Sequence, residues 1–179
     1  MMNELKDELV AAPADVWQQV PITANHHKWL LLWCRFGDDC GFCFCFVSPK
    51  NRMYSYYVNV HGIVTGAEVV VASGERTVAS YDRWDDKPDR LDAVLRLTPT
   101  HIIGRLSVLL MFVLFRQYAP AGAYLLDYIK RHDDYIVIYR DDSNTCTPYV
   151  IHHLTDSGLY YGHYYADGRA AWCDFNKMR

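Results

Sequence analysis

The sequence predicts a single α+β domain over residues 1–179, and three observations carry that expectation. Between Lys28 and Tyr81, short apolar or alternating stretches are joined by turns too short for crossovers, the pattern of an antiparallel β-meander. Around residues 99–118 the chain is apolar on nearly every side, which marks a central, buried helix. Beyond it comes a second, Tyr-rich group of strand-like segments.

Taken in order, Leu5, Leu9, Val10, Val16 and Trp17 can share a helical stripe, so an N-terminal helix is expected over 3–20, with Pro13 as a break or restart. Lys28–Phe36 is a continuous apolar run ended by the turn signal Gly37-Asp38-Asp39. Gly41–Ser48 alternates Phe42, Cys43, Phe44, Cys45 and Phe46, a period of two that reads as a strand. Met53–Val60, Val64–Ala72 and Arg76–Tyr81 complete the meander.

Asp85-Asp86-Lys87-Pro88 then opens a short helix over 89–97, with acid in its first turn and an early proline. Thr98 is expected to cap the apolar helix, with Pro99 at its first position and Pro120 at its end. Ala121–Arg131 is predicted as the third helix of a central layer. Tyr135–Tyr139, Tyr149–His153 and Leu159–Ala166 are predicted strands. Asp167-Gly168 is read as a hairpin turn leading into a last strand over 170–175.

Composition narrows the function. Apolar residues make up 51% and charged residues 22%, and the formal charge is −3, so the basic footprint of a nucleic-acid binder is not expected. The acidic N-terminus, with Glu4, Asp7 and Glu8, lacks the apolar stretch of a secretory signal. The run Leu106–Phe115 falls short of the roughly 20 residues a membrane span needs. The cysteines Cys34, Cys40, Cys43, Cys45, Cys146 and Cys173 are therefore expected to stay reduced, in a cytoplasmic setting.

Three clusters could carry chemistry. Cys40 and Cys43 have the spacing of one zinc knuckle, but no second pair accompanies them. The alternation of Cys43 and Cys45 with phenylalanine fits small buried hydrophobes on a strand face, so no metal is expected. The histidines His26-His27, His152-His153 and His163 could support acid–base work. Adjacent histidines on a strand face opposite ways, so each pair offers one ring per face. His61, His101 and His132 fall near turns or helix ends. The acidic groups around Asp38, Asp85, Asp133 and Asp141 all fall in turns.

Two strings resemble cysteine hydrolases. Cys40-Gly41-Phe42-Cys43-Phe44 resembles the nucleophile string of papain-like proteases. Gly162-His163-Tyr164-Tyr165-Ala166 followed by Trp172-Cys173-Asp174-Phe175-Asn176 is similar to the histidine region of ubiquitin-specific cysteine proteases. The resemblance implies Cys43 as nucleophile, His163 as base, and Asp174 or Asn176 as the group that orients the imidazole. In that family the nucleophile heads a helix, whereas Cys43 lies in a strand pattern.

The other reading is a non-catalytic binding or inhibitory protein, of the general character of bacterial immunity proteins, antitoxins or viral antagonists. Fourteen tyrosines and five tryptophans supply broad surfaces with polar handles. Tyr160, Tyr161, Tyr164, Tyr165, Trp84, Asp85 and Asp86 are the residues expected to engage a protein partner, the acidic ones favouring a basic partner, without a cofactor. This binding reading is the preferred one.

Overall fold

The computed structural model describes residues 16–36, 41–71, 76–85, 87–132 and 134–179. The fold is mixed α+β, with two antiparallel sheets and three α-helices among the described residues. The chain divides into two compact units, residues 1–113 and 114–179.

The first unit is a six-stranded meander in sequence order: β1 (Gln18–Ala24), β2 (His27–Phe36), β3 (Gly41–Val47), β4 (Arg52–Val58), β5 (Val64–Val71) and β6 (Arg76–Asp82). Asn25 and His26 both take positive φ, and Ala24 pairs with His27 across them. That is the two-residue turn whose twist suits a hairpin. Gly41 opens β3 at φ +108°, where a Cβ would lie 2.0 Å from the Val58 carbonyl oxygen, so no larger residue fits there.

Cross-strand register builds the core. Trp33, Phe44 and Tyr56 form one row, and Leu31, Phe46 and Tyr54 the next, all buried. Ala67 and Val69 of β5 continue the two rows. β3 is an inner strand and is buried on both faces: Phe44 and Phe46 on one, Cys43 and Cys45 on the other. The expectation that the two cysteines share a buried strand face holds, and the phenylalanines opposite are buried even more completely.

Helix α1 (Pro88–Leu97) follows β6 and packs back on β5 and β6. Pro88 stands in its first turn, as expected, and Asp89 supplies the acid there. Helix α2 is Thr100–Tyr118. Its length and composition would let it cross a membrane, but Ile102, Leu106, Leu109 and Phe112 are buried in the protein and Arg105 donates to the Thr23 carbonyl at 2.5 Å. Thr98 does not cap α2. Its backbone N–H donates to Leu95 O at the end of α1, its hydroxyl donates to Val94 O at 2.9 Å, and it sits 2.5 Å from the Tyr56 hydroxyl.

The second unit is a four-stranded meander, β7 (Tyr124–Lys130), β8 (Tyr135–Arg140), β9 (Tyr149–Thr155) and β10 (Gly158–Tyr165), followed by helix α3 (Gly168–Lys177). Ile136, Ile138 and Ile151 present one face to Ala171 and Phe175 of α3. On the other face Phe115, at the end of α2, meets the Tyr139 ring edge-on at 5.3 Å.

Four further expectations are corrected. Gln18–Val20, the end of the predicted N-terminal helix, is strand β1, and residues 3–15 of that helix lie outside the described residues. Pro21 did not exclude a strand because β1 is a sheet edge, where a missing N–H costs no ladder bond. The third helix of the expected layer, 121–131, is instead strand β7. Its Tyr124, Leu125, Tyr128 and Ile129 match a helical spacing, yet the ladder to β8 prevails. The expected last strand, 170–175, is helix α3. Asp167, read as a hairpin residue, is its N-cap, and its carboxylate accepts from the Arg169 and Ala170 backbone N–H groups.

Candidate functional site

The six-stranded sheet carries an aromatic and acidic groove of about 450 Å³, lined by Tyr57, Glu68, Tyr81, Asp82 and Trp84 among others. Register assembles it. Cys43, Tyr57, Gly66 and Asp82 stand in one row across β3 to β6, and Cys45, Ser55, Glu68 and Ser80 stand in the adjacent row. These residues therefore share a face, buried at the cysteines and wet toward β6. Trp84 is 88% exposed, the most exposed of the large apolar side chains described. Asp82 Oδ1 accepts from the Trp84 backbone N–H at 3.0 Å, which holds the 3₁₀ turn Arg83–Asp85 against the end of β6. Of the residues expected beside Trp84, Asp86 and the side chain of Asp85 lie outside the described residues. Glu68 and Asp82 supply the acid instead, and only strand pairing could have revealed them.

Cys43 lies 2% exposed in that first row. Burial, with Cys45, Cys34 and Glu68 adding to it, pushes its thiol up to about 12. An activated nucleophile requires a thiol shifted the other way, beside a cation or a helix N-terminus. Cys40 lies outside the described residues. Among the described residues no three His, Cys, Asp or Glu side chains are grouped to hold a metal ion.

The tyrosines of the second unit stand on β10, an edge strand. Tyr160, Tyr161 and Tyr164 are exposed. Tyr165 is half-buried and donates its hydroxyl to Asp174 Oδ2 at 3.0 Å. The strand bulges between Tyr160 and His163, with Tyr161 at φ +54°. Gly162 is required in that bulge, because a Cβ there would come within 2.4 Å of His152 Nε2.

Beneath the bulge His152 is buried. Its Nδ1 is 3.0 Å from the Tyr139 hydroxyl, and its Nε2 is 3.4 Å from the Tyr164 hydroxyl. Burial, then the neighbouring His163 and His153, lowers its pKa. His153 faces the opposite way, with Nδ1 2.7 Å from Asp134 Oδ2, so the adjacent pair divides between faces as expected. His163 is exposed on β10. The Asp174 carboxylate is engaged by Tyr165 on one oxygen and by Lys177, at 2.7 Å, on the other. The hydrogen bond from Lys177, then that from Tyr165, lowers its pKa. The His152–Tyr139–Tyr164 cluster was missed at the level of sequence, because Tyr139 lies 13 residues before His152 and only the β8–β9 ladder joins them.

Comparison with protein-family models, with curated proteins and with solved structures found no match.

Proposed function

We propose that the protein is a non-catalytic binding protein that grips a basic protein partner through the Trp84 groove. The observation that carries this reading is Trp84 itself, an indole 88% exposed beside Glu68 and Asp82. A water-exposed indole is an unspent hydrophobic contact, and tryptophan is the residue type most enriched among interface anchors. Carboxylates around such an anchor favour cationic side chains and speed encounter more than they add affinity. The exposed Tyr160, Tyr161 and Tyr164 offer a second aromatic surface on the other unit. The protein's net charge of −3 agrees with a basic partner.

The test is affinity capture from native extract with mass spectrometry, followed by binding measurements on the purified pair. A captured partner should lose affinity about tenfold or more with Trp84→Ala, as interface anchors do. Glu68→Lys and Asp82→Lys should slow association and flatten its salt dependence. Cys43→Ser should bind like the parent chain. A partner that binds Trp84→Ala and the parent equally would overturn this reading.

A further inference from the structure

We infer that the first unit carries a separate pocket for a small organic anion, a flat apolar body bearing one carboxylate or similar group. The pocket lies where the start of β2, the β3–β4 turn and the first turn of α2 come together, and encloses about 420 Å³. That is the size range of small-ligand sites. Its lining residues include none of those that line the Trp84 groove.

The wall is aromatic. Trp29 and Tyr54 stand with ring centres 6.0 Å apart, and His101 meets Trp29 edge-on at 5.4 Å. The rim carries two cations, Lys50 and Arg52, beside the His27 side chain, and no carboxylate lines it. In a chain with 21 acidic and 18 basic side chains, that local excess of cations selects for an anion.

The cations are displayed on a closed turn. Ser48 N–H donates to Arg52 O at 2.8 Å, Ser48 Oγ accepts from the Arg52 N–H at 2.9 Å, and Asn51 N–H donates to Ser48 O at 3.0 Å. Asn51 takes φ +54°, a conformation that asparagine tolerates. Two wall residues also hold unmet polar atoms. Trp29 Nε1 and His101 Nε2 are buried with no hydrogen-bond partner. Trp29 is 8% exposed, so its indole N–H is a buried donor that a ligand acceptor would satisfy. A ligand acceptor that reaches these nitrogens displaces the edge of the wall, whereas Lys50 and Arg52 need no such movement. The pocket also lies at the positive end of the 19-residue α2, which favours negative charge.

Three probes separate the parts of this assignment: 2-naphthoate (ring and charge), 2-naphthamide (ring alone) and inorganic phosphate (charge alone). Binding to the full chain is measured by calorimetry and by the Trp29 indole N–H resonance, assigned with Trp29→Phe. The expected result is a saturable shift of that resonance by 2-naphthoate, with affinity about tenfold above either other probe. The double variant Lys50→Glu, Arg52→Glu changes exposed turn residues and should keep the parent's circular dichroism and melting point while weakening 2-naphthoate about tenfold. Trp84→Ala should leave 2-naphthoate binding unchanged, which separates this pocket from the partner groove. Equal binding of 2-naphthoate and 2-naphthamide, equal binding of phosphate and 2-naphthoate, unchanged affinity in the double variant, or no saturable shift would each overturn the assignment.

Discussion

The two units follow one plan, an antiparallel meander that ends in a wet edge strand and is followed by helix, yet they fill their interiors differently. The six-stranded unit spreads its core over Trp33, Phe44, Phe46 and Tyr56 on four-strand rows, and backs it with a face of buried cysteines. The four-stranded unit has less sheet to share the load. It concentrates packing on α3, whose Phe175 is fully buried against Ile136, Ile138 and Ile151, and the polar group it buries is an imidazole, His152, where the six-stranded unit buries Ser55 and Thr98. A wide sheet can bury apolar side chains on both faces of an inner strand. A narrow one depends on single keystone contacts, and in either unit an enclosed polar group must be hydrogen-bonded.

The thiols give the sharpest division. Cys43 and Cys45 are buried in the first unit, whereas Cys146 and Cys173 of the second are exposed. The move of the Cys43 thiol from 9.0 to about 12 removes about a thousandfold of its thiolate at neutral pH. Iodoacetamide with peptide mapping should therefore label Cys146 and Cys173 long before Cys43. Selective labelling of Cys43 at pH 6 would instead restore the hydrolase reading.

Next in size is Phe175→Ala, expected to cost about 3–5 kcal/mol through the cavity it leaves. Hydrogen exchange should locate the loss in β8, β9 and α3, and protection that falls equally in β2–β4 would break the contrast between the units. Gly162→Ala should cost about 1–3 kcal/mol in urea unfolding, because its Cβ would strike His152 and the Tyr164 ring. Gly104→Ala is the opposite case. It lies in α2 with no atom within 4 Å of the added Cβ, so the helix should gain up to about 0.5–1 kcal/mol.

The smallest effect is a pH dependence. Because the folded protein lowers the His152 pKa, the folded state binds fewer protons than the unfolded chain between that lowered value and 6.5. Stability contributed by neutral His152 is thus fully present above 6.5 and is lost as pH falls through that window. His152→Gln should flatten the acid side of the stability curve of the second unit, and an unchanged slope would remove His152 as its cause.

How far sequence carried the site depends on the kind of signal. Of the aromatic residues expected to meet a partner, Trp84, Tyr160, Tyr161 and Tyr164 are exposed and Tyr165 is half-buried. The acidic partners were placed at Asp85 and Asp86, whereas the groove draws on Glu68 and Asp82, which reach Trp84 through β5 and β6. The basic pocket had no sequence signal, since His27, Lys50, Arg52 and His101 are far apart along the chain.

By itself the sequence determined the strands of alternating or continuous apolar character, the buried Cys–Phe pattern of β3, and helices α1 and α2, because those signals are local and each repeats at the period of its own element. Tertiary structure decided the remainder. Tyr124–Lys130 became a strand by pairing with β8, and Gly168–Lys177 became a helix by capping on Asp167 and burying Ala171 and Phe175. Gln18–Ala24 became an edge strand by pairing with β2. In each case a long-range ladder or a buried face adds free energy that local propensity alone does not supply.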